Sequence, residues 1–303
     1  VGSEMCIRDR LSIEAPESGT GTLGNVYAAP WQEYAADIKY VFFGPGITSG
    51  QGLHRLFANC TSLVFVNFSD FDTSQATDMS SMFEGCTALP AVNIAGLNTQ
   101  SATNMQNMFK DCSALRSLTI AGINTASVKD MQSMFAGCSA LKTLDLTGIN
   151  TQSATNMQSM FADCAALTSL DLSGFDMTSV TAAKDMFSGC GSLVTLKLPA
   201  LGMKGVTDMS GVFSGCAALE SLDLTNIATA SATTMVRMFE DCAALTTLDL
   251  SNFDTANVAD MQSMFAGCAA LETLNLSSFN TANVTNMNSL FGGCEALAEV
   301  TLG

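Results

Sequence analysis

A Phe-x-x-Cys pair recurs every 26 residues without insertion, at Phe57/Cys60, Phe83/Cys86, Phe109/Cys112, Phe135/Cys138, Phe161/Cys164, Phe187/Cys190, Phe213/Cys216, Phe239/Cys242, Phe265/Cys268 and Phe291/Cys294. Self-similarity at one fixed period dictates a stack of equivalent coils. A coil of this size encloses no core of its own, so its apolar side chains are shielded only by the coils on either side.

Two hydrophobic periods alternate within each coil. After the Cys comes Leu-x-x-Leu-x-Leu or a close variant, as in Leu141, Leu144, Leu146 and Leu245, Leu248, Leu250, and its last two apolar positions alternate as in a short strand with one face inward. Met131, Met134, Phe135 and Cys138 follow i, i+3, i+4, i+7, which predicts a short helix. Thr155-Asn156 or Thr207-Asp208 supplies N-cap chemistry before it, and Gly137 or Gly267 stands where a left-handed residue would end it. Between strand and helix, Phe71, Ile123, Phe175, Phe253 and Phe279 should point inward. The following Asp72, Asn124, Asn150, Asp254 and Asn280 should fold back onto backbone N–H groups, and the Thr73, Thr99, Thr125, Thr151, Thr229, Thr255, Thr281 column should serve the same turns. The expected fold class is an α/β repeat solenoid of ten 26-residue coils, with one parallel sheet and short helices on the opposite face.

Residues 253–279, with Met-x-x-Met-Phe-x-x-Cys followed by Leu-x-x-Leu-x-Leu, and the Asn283-Val284-Thr285 element resemble the BspA-type leucine-rich repeats of bacterial surface proteins. The resemblance runs from Phe57 to the end of the chain. Residues 29–49, with Pro30-Trp31 and Gly46-Ile47-Thr48, are similar to the lead-in that precedes such repeats. It implies a curved leucine-rich-repeat solenoid, secretion or surface display, and adhesion to host or other cells. Ala183 in place of the first helix Met, Met177 and Met203 in place of the turn Thr, and Lys197 and Pro199 at the strand exit depart from the pattern, so local irregularity is expected over 177–206 without a domain boundary. Residues 1–10, VGSEMCIRDR, read as a sequencing-adaptor artefact and are set aside. Residues 11–50 are expected to be a flanking and capping segment, and 51–303 the solenoid, cut within a repeat at its C-terminal end; both ends read as cuts through a longer protein.

The chain carries 28 acidic against 12 basic side chains, a formal charge of −16, which disfavours nucleic acid and anionic membrane as partners. No apolar run approaches the roughly 20 residues needed to span a bilayer. Of the 11 cysteines, Cys6 lies in the adaptor-like segment and the others occupy equivalent positions; without a Cys-x-x-Cys pair, and with His54 the one histidine, they argue against zinc and for a column of buried, reduced thiols. The 18 methionines are read as core. Gly19, Gly21 and Gly24 match G-x-G-x-x-G, but no strand–helix unit surrounds them, so a loop or hairpin is expected there. A serine nucleophile needs a base, and His54, beside Arg55, adjoins no serine-centred motif. Neither an enzyme nor a cofactor is expected.

The outward strand positions remain as the functional candidates. They form a hydroxylated, acidic face on which Asn67, Asn93, Thr119, Thr143, Asp145, Asp171, Asp223, Thr247, Asp249 and Asn275 are the candidate ligand-binding residues. The leading expectation is a secreted or cell-surface recognition and adhesion module that binds a protein or glycan of a host or neighbouring cell across this face. The alternative is a structural spacer that displays another domain and has no ligand of its own. Self-association through the open C-terminal edge is also expected.

Overall fold

The computed structural model describes residues 9–15, 19–24, 29–200 and 202–302 and divides into two compact units, Val1–Ser153 and Ala154–Gly303. Each unit is a β-solenoid of stacked coils. The first holds β1 (Arg10–Ile13), β2 (Gly21–Leu23), β3 (Tyr40–Phe43), β4 (Ile47–Ser49), β5 (Phe65–Asn67), β6 (Phe71–Asp72), β7 (Ala91–Asn93) and β8 (Ser117–Thr119). The second holds β9 (Ser169–Asp171), β10 (Thr195–Lys197), β11 (Thr273–Leu276) and β12 (Glu299–Leu302). All pairing is parallel and in register, as in Leu11–Val41–Val66 across β1, β3 and β5, where the three side chains share one buried row.

The segment expected to flank the stack is built into it. Trp31, 26 residues before Phe57, stacks on that ring at 6.3 Å, and its indole N–H donates to the Leu56 carbonyl at 3.0 Å. Of the segment set aside as adaptor-like, Asp9 leads into β1 and Arg10 is its first residue; residues 1–8 lie outside the described residues. Gly21–Leu23, expected in a loop or hairpin, is a strand in a second parallel ladder, β2–β4–β6, because Thr22 and Thr48 stand side by side in register with their hydroxyls 3.0 Å apart.

The core of each unit is a file of phenylalanines. In the first, Phe57, Phe83, Phe109 and Phe135 follow one another at 5.5, 5.4 and 5.9 Å between ring centroids. In the second, Phe161, Phe187, Phe213, Phe239, Phe265 and Phe291 do so at 5.5–5.8 Å. These are favourable stacking separations, and Phe57 through Phe265 are fully buried.

The predicted helices are absent: among the described residues the one helical element is a single 3-10 turn, Gln32–Tyr34. The i, i+3, i+4, i+7 side chains are buried as expected, but the backbone that carries them is a run of tight turns. Asn107 and Asp111, four residues apart, have φ of 56° and 59°, and Ser133 and Gly137 repeat this at 51° and 73°. A left-handed residue in each turn prevents the i→i−4 ladder of a helix. The N–H groups divide their bonds instead. Those of Met105, Asn107, Phe109 and Asp111 donate to the carbonyls of Asp130, Gln132, Met134 and Ala136 in the next coil at 2.7–2.9 Å, while those of Met108, Lys110 and Cys112 close three-residue turns. The intended N-cap residues keep their chemistry inside the turns, as Asn104, Asp130, Asp208 and Asp260 accept the N–H two residues on.

The single continuous sheet is likewise replaced by short ones, β1–β3–β5, β2–β4–β6 and β7–β8 in the first unit and β9–β10 and β11–β12 in the second. A strand of three or four residues offers few N–H groups to each neighbour, and the tight-turn side of the coil takes over the pairing through bridges such as Gly52–Asp78–Asn104–Asp130. Buried threonines add a third line. The Thr99 hydroxyl donates to the Asn124 carbonyl at 2.9 Å and accepts the Asn124 N–H at 2.7 Å, and Thr125 clamps Asn150, Thr229 clamps Asp254 and Thr255 clamps Asn280 in the same way. Met177 and Met203 are buried where this clamp is missing, and Met203 takes φ 65°. Lys197, expected to interrupt the strand, sits regularly in β10 with its carbonyl accepting the Leu172 N–H.

At the second left-handed position an acidic or amide side chain in one coil covers a glycine in the next. A Cβ on Gly137 would stand 2.4 Å from Asp111 Oδ1, and Gly85 with Asn59, Gly189 with Asp163 and Gly267 with Asp241 show the same fit. Gly137→Ala therefore meets both a clash and backbone strain of about 1–3 kcal/mol, and should lower the urea midpoint; adding Asp111→Gly should recover part of the loss. No recovery in the double variant would show that the side-chain contact is not the cause.

Candidate functional site

Asn67, Asn93, Thr119, Asp171 and Asn275 lie on strands, whereas Thr143, Asp145, Asp223, Thr247 and Asp249 hold the equivalent positions of coils without an assigned strand there; all ten are exposed except Asn67, which is half-buried. Asn67, Asn93, Thr119, Thr143 and Asp145 belong to the first unit, and Asp171, Asp223, Thr247, Asp249 and Asn275 to the second. The structure gives most of them a local duty that sequence alone did not suggest. Oδ1 of Asn67, Asn93, Asp145, Asp171, Asp223, Asp249 and Asn275 accepts the backbone N–H two residues further on at 2.9–3.0 Å. Ser173 and Thr225 add hydroxyl bonds to Asp171 and Asp223 at 2.6 and 2.7 Å. Each of these side chains caps the turn that follows it, so the acidic and amide character of the column is explained by folding before any ligand is invoked.

The capping bonds favour the charged form. The hydroxyls of Thr147, Ser173 and Thr225 hold Asp145, Asp171 and Asp223 below the usual carboxylate range, and at Asp249 the Ser251 N–H is the larger influence. Lys197 reaches back to Asp171 Oδ2 at 2.9 Å and lowers it further. The first outward column, with Ser117 and Thr143 in one unit and Thr195, Ser221, Thr247 and Thr273 in the other, is exposed and carries no such cap.

Two features outside this face bear on chemistry. The His54 Nδ1 lies 2.8 Å from Ser80 Oγ, a contact invisible in the sequence because 26 residues separate them. Ser80 Oγ also donates to Asp78 Oδ1 at 2.6 Å. The serine proton is thus committed to the aspartate, and the imidazole must bring its own N–H to the serine oxygen. A base that accepts the serine proton is what nucleophilic catalysis requires, and the order here is the reverse. The repeat cysteines are free thiols, buried from Cys60 to Cys268 and half-buried at Cys294. The thiols of Cys86, Cys112, Cys138, Cys190, Cys216, Cys242, Cys268 and Cys294 donate to the carbonyl of the Phe one coil back, as Cys86 to Phe57 and Cys268 to Phe239, both at 3.1 Å. Burial pushes the thiols of Cys60, Cys112, Cys190 and Cys268 up to about 12. No three His, Cys, Asp or Glu converge as a metal site among the described residues.

The sequence matches, over residues 51–169, 117–198 and 194–301, the family described as a Mycoplasma protein of unknown function, DUF285. The chain belongs to this family. The DUF285 repeats here are of the BspA-like leucine-rich type. No curated protein matches the chain. Among solved structures, this DUF285 chain is similar to a leucine-rich repeat protein from Bacteroides ovatus, at 16% identity over 96% of this chain and 83% of that one, with a TM-score of 0.41. It is also similar to a leucine rich cell surface protein from Faecalibacterium prausnitzii, at 17% identity over 100% and 88%, TM-score 0.37. A leucine rich repeat protein from T. pallidum matches at 19% identity over 87% and 84%, TM-score 0.34. Likenesses at this level are too distant to inform function.

Sequence reasoning missed Tyr40 and Phe42, which share the outward face with Phe65. They lie in the segment taken as a cap, and the spacing from Trp31 to Phe57 was the signal that this segment is a coil.

Two measurements follow from the site's chemistry. In a Cys6→Ser variant, a thiol reagent at pH 8 should find Cys294 alone reactive in the folded chain and all ten repeat cysteines after denaturation; several fast thiols in the folded state would contradict the bonded column. The capping aspartates have folded pKa values below the unfolded value of about 3.9, so their stabilisation is present above about pH 4 and fades as the pH falls through the folded values. Exchanging Asp145, Asp223 and Asp249 for Asn, which keeps the Oδ1 acceptor, should flatten the acid side of a pH–stability profile, and an unchanged profile would remove these carboxylates as its source.

Proposed function

We propose that the chain is a recognition module, secreted or displayed on a cell surface, that engages a protein or glycan of a host or neighbouring cell across its outward strand face. The observation that carries this reading is the contrast between columns. The inward Phe is invariant from Phe57 to Phe291, whereas the first outward column runs Phe65, Ala91, Ser117, Thr143, Ser169, Thr195, Ser221, Thr247, Thr273 with no capping bond to constrain it. A periodic scaffold with an invariant central file and a varied, uncapped outward column is an arrangement by which a solenoid presents many weak, shared contacts to one extended partner. The DUF285 membership supports the repeat architecture and leaves the ligand open. No helix among the described residues is long and apolar enough to cross a membrane. The excess of acid disfavours nucleic acid.

The spacer reading predicts that the outward face tolerates any soluble substitution. The two separate on a set of charge-bearing exchanges that spare the caps, Thr195→Arg, Ser221→Arg and Thr247→Arg, assayed for binding to host-type cells or extracellular matrix. Roughly tenfold weaker binding is expected; binding equal to the parent would favour the spacer. The charge reversals of Asp145, Asp171, Asp223 and Asp249 to Lys serve as a second set, read alongside thermal melts because they also remove caps.

We also take the last coil of the second unit as the place of self-association. Leu302 is 73% exposed and Met287 40%, where earlier coils bury the same positions. Concentration-dependent association in sedimentation is expected of this chain, and a clean monomer at high concentration would refute it.

A further inference from the structure

We propose that the first unit carries a binding platform for an uncharged carbohydrate polymer, centred on Tyr40 and Phe65 and completed by the amides of Asn67 and Asn93. The proposal rests on the reading of the outward strand face as a recognition surface and names the ligand class for one part of it.

The fold does not require aromatic side chains here. The coil-equivalents of Phe65 are Ala91 and Ser117, while the phenylalanines that build the core file are buried. Tyr40 and Phe65 are nonetheless 40% and 45% exposed and stand opposite one another in register on β3 and β5. Phe42 lies against Phe65 at 5.6 Å between centroids and 44° between planes, with the Arg10 guanidinium over its ring at 4.3 Å. Phe42 thereby backs the exposed Phe65 ring. Grouped exposed aromatics on an otherwise polar surface mark interaction sites.

The surrounding chemistry selects the ligand. The outward positions of β3, β5, β7 and β8 are Tyr40, Phe42, Phe65, Asn67, Ala91, Asn93, Ser117 and Thr119, none of them charged, and the one charged residue paired with them, Arg10 opposite Tyr40 on β1, is held over the Phe42 ring. A phosphorylated or sulfated ligand would call for arginine and lysine at these positions. Asn67 Oδ1 accepts the N–H and hydroxyl of Ser69, and Asn93 Oδ1 accepts the N–H of Ala95, at 2.7–2.9 Å. Those bonds fix each amide plane and leave the Nδ2 donors without a protein acceptor among the described residues. Ring faces that receive C–H groups, beside preorganised N–H donors for hydroxyl oxygens and with a single guanidinium that is engaged by a ring, match the alternating apolar and hydroxylated faces of a neutral sugar. Rows repeated about 4.8 Å apart along a parallel ladder suit an extended polymer.

The test uses the full chain and pull-down on insoluble neutral polysaccharides: cellulose, chitin, β-1,3-glucan, starch and mannan. Retention on at least one is expected. The double variant Tyr40→Ala/Phe65→Ala should bind it roughly tenfold more weakly, with a native circular dichroism spectrum at the assay temperature because neither ring belongs to the buried phenylalanine file. Asn93→Asp keeps the Oδ1 cap and removes the donor, and should also weaken binding. Retention on none of the five, or a double variant retained as well as the parent, overturns the proposal. So does a double variant that loses binding only to a protease-sensitive cell component, or only its self-association, since the occupant would then be a protein. Failure of the broader reading shows elsewhere, in second-unit variants that bind cells as the parent does.

Discussion

The structure depends on hydrogen bonds between the backbone N–H groups of one coil and the backbone carbonyls of its neighbour. They run along the short strands, along the bridges through Asp78, Asn104 and Asp130, and along the turns from Met105 to Asp111. Because several lines are paired at once, one inserted residue would put all of them out of register, which accounts for a period that holds from Phe57 to Phe291 without exception. Side chains reinforce the same direction. Buried threonine hydroxyls such as Thr99 and cysteine thiols such as Cys112 bond to backbone in a neighbouring coil, so residues that look like potential chemistry in the sequence are spent on cohesion.

Much of the architecture was legible from periodicity, because burial depends only on which side chains share a face. Met131, Met134, Phe135 and Cys138 are buried as their spacing requires. The element carrying them was not legible. A run of turns with a left-handed residue every fourth position places side chains inward at nearly the helical intervals, and the pattern of apolar residues cannot tell the two apart. The distinguishing sign lay in the polar positions, where Asn107, Asp111, Ser133 and Gly137 are types that favour or tolerate positive φ. The flanking segment was misjudged because Trp31 stands in the place of a phenylalanine and no Cys follows it.

The candidate face was legible as a face and not as a set of reasons. Alternation placed Asp145, Asp223 and Asp249 outward correctly. That each folds its carboxylate onto the next turn follows from three-dimensional geometry, and it moves the burden of recognition from the acidic column to the uncapped one beside it and to the aromatic cluster at Tyr40 and Phe65.

The fit of acid over glycine also limits how such an array can grow. Along the column Asn59, Gly85, Asp111, Gly137, Asp163, Gly189, Gly215, Asp241, Gly267, Gly293, an acidic or amide residue is always succeeded by glycine. Gene duplication that copied a single Asp-bearing coil onto itself would set two carboxylates into one space, whereas copying an Asp–Gly pair, or a glycine coil alone, would not. Lengthening by recombination is thereby steered toward junctions that place a glycine coil after each acidic one, as the consecutive Gly189 and Gly215 also permit.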